Sequence, residues 1–68
     1  MTWDRVQGNW TQAKGKVKER WGDFTDDELD QMDGQKDQFV GKLQEKYGMA
    51  QEEAEREADE FARQMNGG

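Results

Sequence analysis

The chain has no cysteine, no histidine and no proline, and serine is missing as well. Without cysteine there is no disulfide, no thiol nucleophile and no thiolate metal site. Without histidine, zinc would have carboxylates alone to bind. With serine also gone, neither a serine nor a cysteine triad can be assembled. Hydrophobic residues are scarce, at 31% of 68 residues against 38% charged. No apolar run approaches the ~20 residues of a bilayer-spanning helix, and the opening residues do not read as a signal peptide. The expectation is a cytoplasmic protein with no transmembrane segment. The net charge of −6 repels phosphates overall and disfavours general nucleic-acid binding. A chain this short buries only about 60% of the surface it exposes when unfolded. Its composition lies near the border between a marginal globule and a disordered polyelectrolyte.

Periodicity tips the balance towards folding. Any core must lean on Trp3, Trp10, Trp21, Phe24, Phe39, Tyr47 and Phe61. At about 100° per residue, Trp10, Ala13, Val17 and Trp21 fall on one narrow stripe, the mark of an amphipathic helix over about 9–21. Asn9 is its N-cap candidate. Thr25-Asp26-Asp27-Glu28 is a capping box opening a short helix over about 25–33, with Phe24 and Leu29 at the two positions of a hydrophobic staple. Phe39, Val40, Leu43 and Tyr47 line one side of a third helix, about 35–47. Ala54, Ala58, Phe61, Ala62 and Met65 line a fourth, about 50–65, with Glu52 and Glu53 in its first turn. Residues before Gly8 form a loose segment from which Trp3 and Val6 dock, and Gly67-Gly68 is a frayed end. The prediction is a single all-α domain over 1–68, a four-helix bundle.

The chain also repeats. Gln12–Gly22 (QAKGKVKERWG) and Gln38–Gly48 (QFVGKLQEKYG) match at an offset of 26, with five of eleven positions identical. Net charge alternates by segment: +3 over 1–22, −6 over 23–33, +1 over 34–48 and −4 over 49–68, which sum to −6. Two related hairpins, each a basic helix followed by an acidic one, are implied. Gln12, Gly15, Lys16 and Glu19 lie together away from the apolar stripe, and Gln38, Gly41, Lys42 and Glu45 repeat the arrangement. A helical glycine costs about 1 kcal/mol relative to alanine, so two in register call for a reason. One is close crossing of the hairpins or a relic of duplication. The other is a duplicated notch for a partner backbone or ligand, which makes these eight residues the candidate partner surface.

GNWTQAKGKVKERWGDFTDDELDQMDGQKDQFVGKLQEKYGMAQEEAEREADEF, from Gly8 to Phe61, resembles the CsbD-like family of small bacterial general stress-response proteins. Its most specific parts are Gly8–Gly22, the FTDD helix start and Asp37–Gly48. The resemblance implies four helices in two crossed hairpins, arranged like a SAM domain. It further implies expression under starvation, osmotic or envelope stress, with no known catalytic activity and no active-site residues to carry over. The alanine-rich C-terminal helix ending in Asn66-Gly67-Gly68 departs from the pattern.

No catalytic, cofactor or metal residues are expected. The carboxylates lie on short solvated faces with no burial to raise a pKa. An EF-hand loop starting at Asp26 would need glycine where Gln31 stands and glutamate where Asp37 stands. The methionines are gap fillers. The preferred reading is a monomeric, non-enzymatic stress-response protein acting as an interaction module on an unidentified protein partner. One alternative is a hydrophilin-like bulk protectant, on a mean hydropathy of −1.42 and eight glycines. A lesser one is a nucleic-acid or anionic-surface binder working through Lys14, Lys16, Lys18 and Arg20.

Overall fold

The computed structural model describes residues 3–67. Among them are five helices and no strand: α1 (Asp4–Gly8), α2 (Trp10–Arg20), α3 (Asp26–Met32), α4 (Lys36–Tyr47) and α5 (Gln51–Gly67). The last four correspond to the helices expected from periodicity. The first corrects an expectation in part: Asp4–Gly8 is helical rather than a loose segment, while Trp3 and Val6 dock as expected. Its Val6 is fully buried, and the Trp3 indole donates to the Gly34 carbonyl oxygen. Gly34 closes the turn between α3 and α4 at φ +78°, and a Cβ there would lie 3.0 Å from Gln7 Cα. The close approach of α1 to that turn thus depends on glycine.

Asn9 does not cap α2 with its side chain. At φ −115° and ψ 38° it lacks the extended backbone from which a capping oxygen reaches the first-turn amides. Instead its N–H donates to Arg5 O and its carbonyl accepts from Ala13 N–H, so α1 runs into α2 through one kinked residue. The predicted start of α3 is present in full. Thr25 Oγ1 accepts from the Glu28 amide at 3.2 Å and Glu28 Oε1 accepts from the Thr25 amide at 3.0 Å. Phe24 and Leu29 are both buried, as the staple requires. The helix ends on Asp33 and Gly34, both left-handed.

The core joins every helix. Ala13, Val17, Leu29, Phe39, Leu43, Ala54, Ala58 and Phe61 are at most 3% exposed. Phe39 lies at its centre, with ring centroids 5.1 Å from Trp21, 5.5 Å from Trp3, 5.8 Å from Phe24 and 6.0 Å from Phe61. Trp10 is half-buried and its indole donates to Leu29 O at 2.8 Å. The radius of gyration, 10.7 Å, matches the roughly 11 Å of a compact chain this long. Tyr47 was expected in the core and is exposed. Its counterpart in the repeat, Trp21, lies just past the end of α2 and turns inwards between Phe39 and Phe61. Tyr47 is still helical, with Gly48 making the left-handed stop after it, so its ring stays at the surface and its hydroxyl accepts from Asp23 N–H.

Candidate functional site

The alternating charge along the chain becomes a set of bridges between helices. Lys14 pairs with Asp30 at 2.6 Å and Lys18 with Asp26 at 2.8 Å. Partner numbers fall as lysine numbers rise, which is an antiparallel ladder of α2 on α3. Lys36 pairs with Asp59 at 2.7 Å between α4 and α5. Arg20 reaches Glu57 at 2.9 Å, with Glu60 and Gln64 near it, fastening the end of α2 to α5.

Glu28 joins two jobs in one carboxylate. While capping α3 it also accepts Lys46 at 2.8 Å, with Lys42 at 3.7 Å. The Lys46 hydrogen bond and then the Thr25 amide hold its pKa down to about 2. Lys46 is raised by the same contact. Lys14 is raised by its bond to Asp30, and Asp26 is lowered by its bond to Lys18. Each of these shifted groups stands in a bridge between helices rather than in a cleft, so the shifts report packing and not an acid–base site.

The eight candidate partner residues divide into two places. Gln12, Gly15, Lys16 and Glu19 are all exposed on α2. Lys16 and Glu19 line a half-open cleft of about 380 Å³ whose floor includes Phe61 and Met65 of α5. Gln12 and Lys16 line its neighbour of about 430 Å³, again against Met65. On α4, Gln38 and Glu45 are exposed while Gly41 and Lys42 are half-buried. Those four share a shallow depression of about 270 Å³ with Asp37. The fold therefore gathers the α4 four at one depression, while Gln12, Lys16 and Glu19 are spread over two clefts beside α5 and Gly15 lines neither of those two.

An added Cβ would meet nothing within 4 Å at Gly15 or at Gly41. Close crossing of the hairpins is thus not what the two glycines serve, and that expectation is corrected. The Arg20 wall of the α2 cleft, and Met65 facing Lys16, were beyond sequence reasoning. Arg20 and Gln64 are 44 positions apart, and only the opposite charge of the two segments hinted at the contact.

The arrangement offers little chemistry. No buried polar or charged residue occurs among the described residues. No group of three or more acidic, histidine or cysteine side chains able to hold a metal occurs among them either. Asp26 and Asp30, once considered for a calcium loop, sit in a continuous helix facing lysines. Of the four cations on α2, Lys14, Lys18 and Arg20 are engaged within the molecule, leaving Lys16 without an ion-pair partner among the described residues. No helix of the described residues is long and apolar enough to cross a membrane.

The CsbD-like family matches residues 4–56. The chain belongs to that family. Full-length similarity supports the assignment. A UPF0337 protein of Rhodopirellula baltica is 56% identical over 66 residues, covering 97% of both chains. One of Nitrosomonas europaea is 56% identical over 97% of this chain and 70% of its own length. A UPF0337 protein of Rhizobium meliloti is 69% identical over 32 residues. That last match covers 46% of the relative, so the chain spans about half the length of the first relatives it matches. The CsbD-like match begins at Asp4, so α1 is part of what the family shares, ahead of the Gly8 start that the motifs suggested.

Proposed function

We propose that this CsbD-like chain is a non-enzymatic general stress-response protein that works in the cytoplasm as a small folded interaction module. The stress category follows the family resemblance. The mode of action follows from one observation: Gly15 and Gly41 stand inside helices with open space where a side chain would be. Folding gains nothing from them and loses about 1 kcal/mol at each. With close crossing removed, a relic of duplication and an approach from outside are the two explanations, and the polar side chains around each glycine favour the approach. Gln12, Lys16, Glu19, Gln38, Lys42 and Glu45 are then the polar groups around the approach. The single-domain organisation as two crossed hairpins, similar to a SAM domain, belongs to the same reading. The antiparallel Lys14–Asp30 and Lys18–Asp26 ladder and the packing of α4 on α5 support it.

Bulk protection rests on composition, and a core holding aromatic rings from five parts of the chain is more order than composition requires. Binding to nucleic acid or anionic surfaces through α2 loses its support once three of its four cations are engaged internally.

The test is survival after osmotic shock or starvation in a bacterial host lacking its own family member, by colony counts. The wild-type chain should restore survival, and the Gly15→Ala, Gly41→Ala pair at equal abundance should not, although it folds. Full rescue by the pair would reject the interaction surface and favour bulk protection.

A further inference from the structure

We infer that the α2 stripe is a self-association face, on which a second copy of this chain docks antiparallel about a two-fold axis passing between Gly15 and Lys16. This rests on the interaction-surface reading and names its partner, in place of the monomer expected from the sequence.

At about 100° per residue, Gln12, Gly15, Lys16 and Glu19 lie at roughly 60°, 0°, 100° and 40° around the helix. Reversing the helix about the midpoint of Gly15 and Lys16 exchanges Gln12 with Glu19 and Gly15 with Lys16, and the mean direction of the stripe is unchanged. The exchange sets Lys16 of one copy over Gly15 of the other and Gln12 opposite Glu19, each contact made twice, as in a two-fold interface.

The open space over Gly15 takes the Lys16 stem of the second copy. Helical side chains lean towards their own N-terminus. In an antiparallel pair that direction carries the arriving ammonium towards Glu19 of the first copy, and the axis makes the contact twice. Neither group has a competing ion pair among the described residues, whereas Lys14, Lys18 and Arg20 on the same helix are all engaged. Gln12 faces Glu19 across the axis as amide to carboxylate. Met65, half-buried at the cleft beside the stripe, offers apolar surface to the arriving helix. The α4 stripe has the same residue types, but its Lys42 already lies 3.7 Å from Glu28 and from Glu45.

Sedimentation equilibrium of the full chain tests this, from about 10 µM to about 1 mM, the range of weak association. About 0.15 M salt screens the net charge beyond about 8 Å. The average mass should climb from 7.9 kDa towards twice that value. Lys16→Glu sets like charges together at both contacts and should weaken association by roughly tenfold or more. Adding Glu19→Lys should restore it. Gly15→Leu should abolish it and Tyr47→Ala, at an exposed position outside the eight surface residues, should leave it intact. A monomer throughout the range, no recovery in the double variant, or equal loss from Tyr47→Ala would each overturn self-docking. If the chain stays monomeric and the double alanine variant still fails in stressed cells, the surface serves a different partner and the functional reading stands.

Discussion

Three glycines of this chain occupy two kinds of environment, and the two dictate opposite outcomes on substitution. Gly15 and Gly41 are right-handed, helical and open. Alanine at either should raise the unfolding free energy by about 0.5–1 kcal/mol, because it restricts the unfolded chain and favours the helix. Gly34 is left-handed, and its missing Cβ would press on the backbone of Gln7 at 3.0 Å. Alanine there meets both strain and a neighbour that cannot rotate away, so a loss of about 1–3 kcal/mol is expected. Urea titrations of the three variants, followed by circular dichroism, check both signs. Stabilisation at Gly34, or a clear loss at Gly15, would contradict the geometry described here.

At the scale of the element, the start of α3 and its contact with α4 rest on Thr25 and Glu28. Thr25→Ala leaves the Glu28 amide without its acceptor and should cost about 1 kcal/mol, read as a drop in melting temperature. Glu28 makes a pH prediction with a definite sign. Its folded pKa, about 2, lies below the ordinary value of 4.5. The stabilisation it supplies is therefore fully present above 4.5 and is lost as pH falls from there through about 2. Glu28→Gln should be the less stable chain at neutral pH, and the gap between it and the wild type should close across that window. A gap that stays constant down to pH 2 would show that the Lys46 contact contributes nothing.

These elements also show how far sequence reasoning reaches. The Thr25–Glu28 box, the Phe24–Leu29 pair and the stripes on α2, α4 and α5 were legible, because each depends on residues within a turn or two of one another. Four features were not. Tyr47 departs from Trp21 because α2 ends before its aromatic residue and α4 ends after its own, a difference that aligning the repeat conceals. The second role of Glu28, with Lys46, links positions 18 apart. Asn9 has a capping residue's chemistry without the backbone angles to use it. The helix α1 is too short to show periodicity and is ordered by what Trp3, Val6 and Gln7 touch. The two candidate stripes could be read as sets, but their separation into different depressions depends on how the helices pack.

For the whole molecule, the question set by its composition is how so few apolar residues hold a chain with 38% charged residues. The ion pairs are an insufficient answer, since exposed pairs contribute only about 0–1 kcal/mol each. The aromatic cluster is the better one. Phe39 touches rings supplied by the lead into α1, the end of α2, the lead into α3 and the middle of α5, so one side chain on α4 contacts every other part of the fold. A domain of this length has a total stability of roughly 3–10 kcal/mol, and a buried Phe→Ala change costs about 3–5 kcal/mol. Phe39→Ala should therefore remove most of the margin. Its proton–nitrogen correlation spectrum in dilute neutral buffer should collapse towards the disordered range, while the wild type gives dispersed peaks. Tyr47→Ala, at the matching end of the same helix but exposed, should keep the dispersed spectrum and lose less than about 1 kcal/mol. If the two variants proved equally folded, the centre of stability would lie in the charge ladder between the helices. Raising salt to about 1 M, where screening acts within about 3 Å, would then unfold the wild type as well.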